Sequence, residues 1–248
     1  MNNSFPSIEH SQTLLAVRVA LIAGYLDAYA LRTLGVFVSF MSGNTTMAGL
    51  STGERHFMSA LAPALAIPSF VAGSFVGTWI TTYRARYSHR LLFLTNALLL
   101  CVILIFASEE SLRMVNIALL GIATGLLNPA LSRVGSESIS ITFVTGTLSR
   151  LGRHLALAAK GAPLPDAEGS WDGHLYRARL DLYLWVGFLT GAVLSGMLMT
   201  LAQQVVLAAP IVVMAGLGIF SRAADPSELR GGGHNSKTGA GDPPRRPL

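Results

Sequence analysis

Six apolar runs, near residues 12–31, 58–81, 90–107, 112–131, 180–201 and 204–221, are each long enough to cross a hydrocarbon core of about 30 Å, which takes roughly 17–25 residues of helix. Inside lipid every backbone N–H and C=O must be satisfied by the protein itself, so runs of this length read as helices packed against one another. Composition agrees, with 51% hydrophobic and 12% charged residues and a mean hydropathy of +0.51. That is about half the charge of an average soluble domain. The expected fold is an all-α membrane protein with about six transmembrane helices. No basic region precedes the first run and no small-residue cleavage site follows it, so it reads as a retained helix.

The chain also repeats itself. G-Y-L-D-A at Gly24–Ala28 and F-M-S-G-N-T at Phe40–Thr45 return about a hundred residues later as G-L-L-N-P at Gly125–Pro129 and F-V-T-G-T-L at Phe143–Leu148. A third match links Phe70–Gly77 with Phe188–Gly196, where small residues at helical spacing suit close helix packing. We read two three-helix repeats, about 12–107 and 112–221, each with a broken or re-entrant polar motif segment. Three crossings per half make the halves inverted. Four crossings per half would make them parallel, but would move the basic stretch at Arg84–Arg86 and the acidic stretch at Ser108–Ser111 to the wrong sides for the charge rule.

Charge sets the expected orientation. Arg84, Arg86, Arg90, Arg133, Arg150, Arg153, Lys160, Arg177, Arg179 and the basic residues from Arg222 onward fall on one side of six alternating helices, and Arg32, Arg55 and Arg113 with Glu54, Glu109 and Glu110 on the other. The positive-inside rule then makes both termini cytoplasmic, in a bacterial inner membrane. On this reading residues 1–11 are a cytoplasmic tail, 12–221 the integral domain, 161–175 a cytoplasmic linker and 222–248 a disordered cytoplasmic tail. The net charge of +5 is dispersed around the spans without aromatic interleaving, which argues against nucleic acid as a partner. One cysteine, Cys101, excludes a disulfide framework within the chain and a cysteine metal site.

The candidate pathway residues are polar groups at membrane depth. Ser42, Gly43, Asn44 and Thr45 supply hydroxyls, a carboxamide and a flexible backbone, and Thr145, Gly146 and Thr147 repeat that chemistry. The blander reading is helix capping, which the same residue types favour. Asp27 is a carboxylate in an apolar run, costing about 2.5–3.5 kcal/mol unless paired, hydrated or protonated. It is either a cation or proton site or a helix-end residue capping the Ser42–Thr45 turn. Its repeat equivalent is the neutral Asn128, with Pro129 beside it to break the helix. Asn96 and Asn116 read as interhelical hydrogen-bonding glue.

In combination these motifs resemble the YoaK-like family of bacterial inner-membrane proteins, over roughly residues 12–221. The family's usual threonine before G-N is Ser42 here, and its usual G-x-Q-N-A reads Gly125–Pro129. The resemblance implies about six spans and a domain of unknown function. From the repeated polar motifs we expect a small secondary transporter or permeation protein for a small solute or ion, acting as a homodimer because six short helices enclose little space. The alternative is a non-transporting accessory or scaffold protein. No metalloprotease, paired-carboxylate or nucleophile-elbow pattern is present, and His10, His56, His89, His154, His174 and His234 fall in tails, loops or helix ends, so we expect no enzyme, cofactor or metal.

Overall fold

The computed structural model describes residues 5–83, 87–107, 109–131, 133–134, 137–138, 144–165, 167, 171–202 and 205–220. The first four residues, Arg84, Arg86, Thr142 and the tail from 222 to 248 lie outside the described residues. Among those described are eight α-helices: α1 Phe5–Leu34, α2 Met41–Gly53, α3 Phe57–Tyr83, α4 Ser88–Phe106, α5 Arg113–Leu127, α6 Val144–Ala159, α7 His174–Ala202 and α8 Ala208–Phe220. A two-residue antiparallel ladder pairs Arg133 with Ser138 and Val134 with Glu137.

Among the described residues, five stretches are long and apolar enough to cross a membrane: Gln12–Leu34, Phe57–Tyr83, Ser88–Phe106, Glu110–Leu127 and His174–Leu201. The sixth apolar run becomes α8, 13 residues long, or about 20 Å of helix. Large side chains such as Phe75 and Ile105, 65% and 70% exposed, point away from the protein along these helices. Such a surface is a liability in water and the natural outer wall in lipid. The chain is an all-α membrane protein.

The core runs along α1, whose Ala16, Val19, Ile22 and Leu26 belong to one buried cluster with Phe93, Leu100, Ile117, Leu120 and Met214. Around it, α1 packs on α7, α3 on α5, α2 on α3, α6 on α7 and α4 on α8. Exchanging the first four helices with the last four maps each of these pairs onto another pair or onto itself. Glycines show the same correspondence at atomic scale. A Cβ on Gly24 would overlap the carbonyl oxygen of Phe188, and one on Gly125 that of Phe70. A Cβ on Gly191 would overlap the carbonyl oxygen of Leu21, and one on Gly73 that of Ile122. Gly24 and Gly125 are equivalent by motif, as are Phe70 and Phe188, and Gly73 and Gly191. One backbone-on-backbone contact is therefore built twice.

Both close pairs run parallel. Gly121 lies against Ala66 and Ser69, while Gly77, further along α3, meets Leu126 and Pro129 of the α5 end. Likewise Gly187 lies by Val17, and Gly191 by Tyr25. Helix α4 is antiparallel to α5: Asn96 Nδ2 donates to the Ala123 carbonyl and Asn116 Nδ2 to the Phe106 carbonyl at 3.1 Å, the glue expected of these amides. Pro129 acts as anticipated, since α5 stops at Leu127 and a 3-10 turn takes over Asn128–Leu131.

Candidate functional site

Helix α1 ends at Leu34, and Gly35 adopts φ of 69°, a left-handed turn that glycine enters without strain. Arg113 Nη2 donates to the Leu34 carbonyl at 2.8 Å, placing a cation at the negative end of the helix. The chain then doubles back along α1. The backbone N–H groups of Val38 and Ser39 both donate to Asp27 Oδ1 at 2.7 Å, and the Ser39 hydroxyl donates to Oδ2 at 2.6 Å. On the other flank the Thr124 hydroxyl donates to the Val38 carbonyl. Asp27 precedes Leu34 by seven residues and Thr124 follows Arg113 by eleven, so the loop descends about 10–16 Å from the level of Leu34. Helix α2 starts at that depth and returns to the end it came from, because α3 begins at Phe57 and reaches Gly121 of α5 at Ala66.

Asn44 locks the turn. Its Oδ1 accepts from the Phe37 N–H at 3.0 Å and its Nδ2 donates to the Phe37 carbonyl at 2.6 Å. Phe37 and Phe40 meet edge to face with centroids 5.3 Å apart, and a Cβ on Gly43 would overlap the Phe40 ring. Asp27, Gly43 and Asn44 are thus brought together, joined by Ser39, which no sequence motif singles out. Ser42 and Thr45 are exposed, and the Thr45 hydroxyl bonds back to the Met41 carbonyl, a common habit of threonine in helices. Asp27 does cap a turn, at residues 38–39 and not at Ser42–Thr45.

The second half carries a different set of partners. Asn128 is half-buried at the head of the 3-10 turn. On α6, Thr145 is exposed, Gly146 half-buried and Thr147 buried, with its hydroxyl 3.4 Å from Arg150 Nη2. Arg150 pairs with Asp181 at 2.9 Å. Arg177 forks onto Asp172 with bonds of 2.9 and 2.8 Å, both side chains being buried. His154 and His174, also buried, face each other Nδ1 to Nδ1 at 3.0 Å. From sequence alone these histidines fall in loops or helix ends, and Arg150 and Arg177 read as interfacial flank. A usable signal was present, since Thr147, Arg150 and His154 recur at helical spacing on one face of α6.

A cavity of about 1190 Å³ opens at the end where α1 stops. Tyr29, Arg32 and Thr33 of α1 line it, with Glu109 and Glu110 in the turn before α5, Arg113 and Asn116 in its first turn, and Met199 and Thr200 of α7. Asp27 and α2 do not contribute to this wall, so the polar motif borders the bundle's interior and the cavity is a separate space. Asn116, buried at 3% exposure, spends its Nδ2 on Phe106, and its Oδ1 has no hydrogen-bond partner among the described residues. No group of three or more His, Cys, Asp or Glu among the described residues is placed to hold a metal ion.

Residues 15–220 match a family described as a protein of unknown function, DUF1275. The chain belongs to this family. The chain is similar to the UPF0700 transmembrane protein RA0705 of Rhizobium meliloti (strain 1021), 32% identical over 196 residues that cover 79% of this chain and 80% of the relative. The UPF0700 transmembrane protein YoaK of Bacillus subtilis (strain 168) is 29% identical over 150 residues, 57% of this chain and 66% of the relative. No solved structure matches. The motifs of both copies, from Gly24 to Leu148, fall within the span that the family covers.

Proposed function

We propose that this protein is a small secondary transporter or permeation protein for a small solute or ion, with the cavity at the α1 end as its entrance. The observation that carries this reading is the cavity itself, which lies between helices of both halves and is bordered by charged and polar groups. The twice-built glycine contact supports an inverted repeat, in which a first half ending outward is answered by a second half ending inward. With both termini in the cytoplasm of a bacterial inner membrane, the cavity faces outside. The first polar motif holds the returning loop beside the pathway instead of forming its wall. No catalytic step is needed for this activity, and a homodimer is its working form.

The test is flux through proteoliposomes holding the full chain, followed by osmotic light scattering with a panel of small solutes and salts. In a Cys101→Ser, Thr200→Cys variant, modification by a bulky water-soluble thiol reagent should abolish the solute-dependent signal. Equal flux before and after modification would remove the cavity from the pathway. Absence of flux for every solute would favour an accessory role.

A further inference from the structure

Two features of the cavity point to the kind of molecule it takes. Charges of both signs share it: Arg32 and Arg113 on one hand, Glu109 and Glu110 on the other. None of the four forms an ion pair with a described residue, and the Arg113 side chain makes its one hydrogen bond to the Leu34 carbonyl. One turn further along α5, Asn116 holds its buried and unpartnered Oδ1. A buried acceptor left without a donor is costly, so a group arriving with N–H donors is favoured there. Residues three apart on a helix stand about 5–6 Å from each other on the same face. Arg113 and Asn116 thus stand on one face of α5, and both border the cavity. Two Arg against two Glu cancel, so the site has no net attraction for a lone cation or a lone anion.

We propose that this cavity binds a small zwitterion, a solute with a carboxylate and an ammonium on one short frame. The carboxylate faces Arg113 and Arg32, where a guanidinium offers a planar fork of donors. The ammonium faces Asn116 Oδ1 and the two glutamates. Its volume, slightly above the range of closed ligand pockets, leaves room for the solute with its remaining water. This inference rests on the pathway reading for the idea that the solute moves, but binding is measurable without flux.

Detergent-purified full chain would be unfolded thermally with a thiol-reactive dye reporting on Cys101, in the presence of each standard L-amino acid, its decarboxylated amine and its N-acetyl derivative. At least one amino acid should raise the midpoint, while its amine and its N-acetyl derivative do not. Arg113→Gln and Glu110→Gln should each weaken half-saturation by about tenfold or more, the loss of one charge-assisted contact. Asn116→Ala should weaken it as well, whereas Arg179→Gln, exposed on the opposite end of α7, should leave it unchanged. A midpoint that no amino acid moves, or that amines or N-acetyl acids move equally, would overturn the zwitterion. If proteoliposomes pass salts or uncharged solutes while no zwitterion binds, the pathway stands and this inference falls. Zwitterion binding without any flux would do the reverse.

Discussion

Asp27 exchanges its hydration for three short hydrogen bonds from a single loop, and that settles what kind of substitution it tolerates. Asp27→Ala strands two buried backbone donors and should lower unfolding free energy by about 3 kcal/mol. Asp27→Asn keeps an acceptor for the backbone and lets Ser39 turn its hydroxyl around, so about 1 kcal/mol should be lost, as thermal unfolding in detergent would record. The Asn variant should also retain flux, an outcome that a coupling carboxylate could not give. In the other half, Arg177→Leu leaves Asp172 buried without its fork and should cost about 3–5 kcal/mol. Adding Asp172→Leu should recover most of that loss, and failure to recover would show that the pair does more than neutralise itself. Asp27 was legible in the sequence because a lone charge in an apolar run has to be explained. Its partners were not, because the return of Val38 and Ser39 depends on a left-handed turn at Gly35. The Arg150–Asp181 pair spans 31 residues, a separation at which local pattern carries no information.

Helix α2 is 13 residues long, about 20 Å, and both of its ends are accounted for without a crossing. Its first turn sits at the depth of Asp27, and its last leads into Phe57 at the level of Glu110. Single cysteines on a Cys101→Ser background test this directly. Glu54→Cys and Glu110→Cys should react with a membrane-impermeant thiol reagent from the same side, and Arg179→Cys from the other. Labelling of Glu54 and Glu110 from opposite sides would mean that α2 crosses. The apolar content of Val36–Gly49 left that question open in the sequence, since hydropathy reports what a segment avoids and not how deep it goes. Helix α7 shows another limit. It starts at His174, six residues before the apolar run, because Asp172, Arg177 and Asp181 find partners within the cluster that α6 helps to build. Polar residues became helical there through tertiary contacts that hydropathy does not register.

The relation between the halves is carried by packing more than by chemistry. Gly24 meets Phe188 as Gly125 meets Phe70, while the side chains three residues on, Asp27 and Asn128, differ in charge. The repeated glycines could be seen in the sequence, as could the three matched segments that contain them. Which half each glycine would touch could not, because any small-residue face can pair within its own repeat or with the other. Here the close contacts of the glycines on α1, α3, α5 and α7 are all between halves, so neither half can bury its glycine face alone, and the fold is one unit of two interlocked parts. That has an energetic consequence. Gly24→Ala and Gly125→Ala each force a methyl group into a backbone carbonyl across a helix pair, and each should cost about 1–3 kcal/mol by overpacking. The two substitutions share no partner, so the double variant should lose the sum of the single losses to within about 0.5 kcal/mol. Similar single penalties with additivity would establish two independent, equivalent contacts. A strongly unequal pair would mean that one crossing bears the stability of the bundle and the other is free to open, and the α1–α7 and α3–α5 pairs would then have different roles in moving a solute past the cavity.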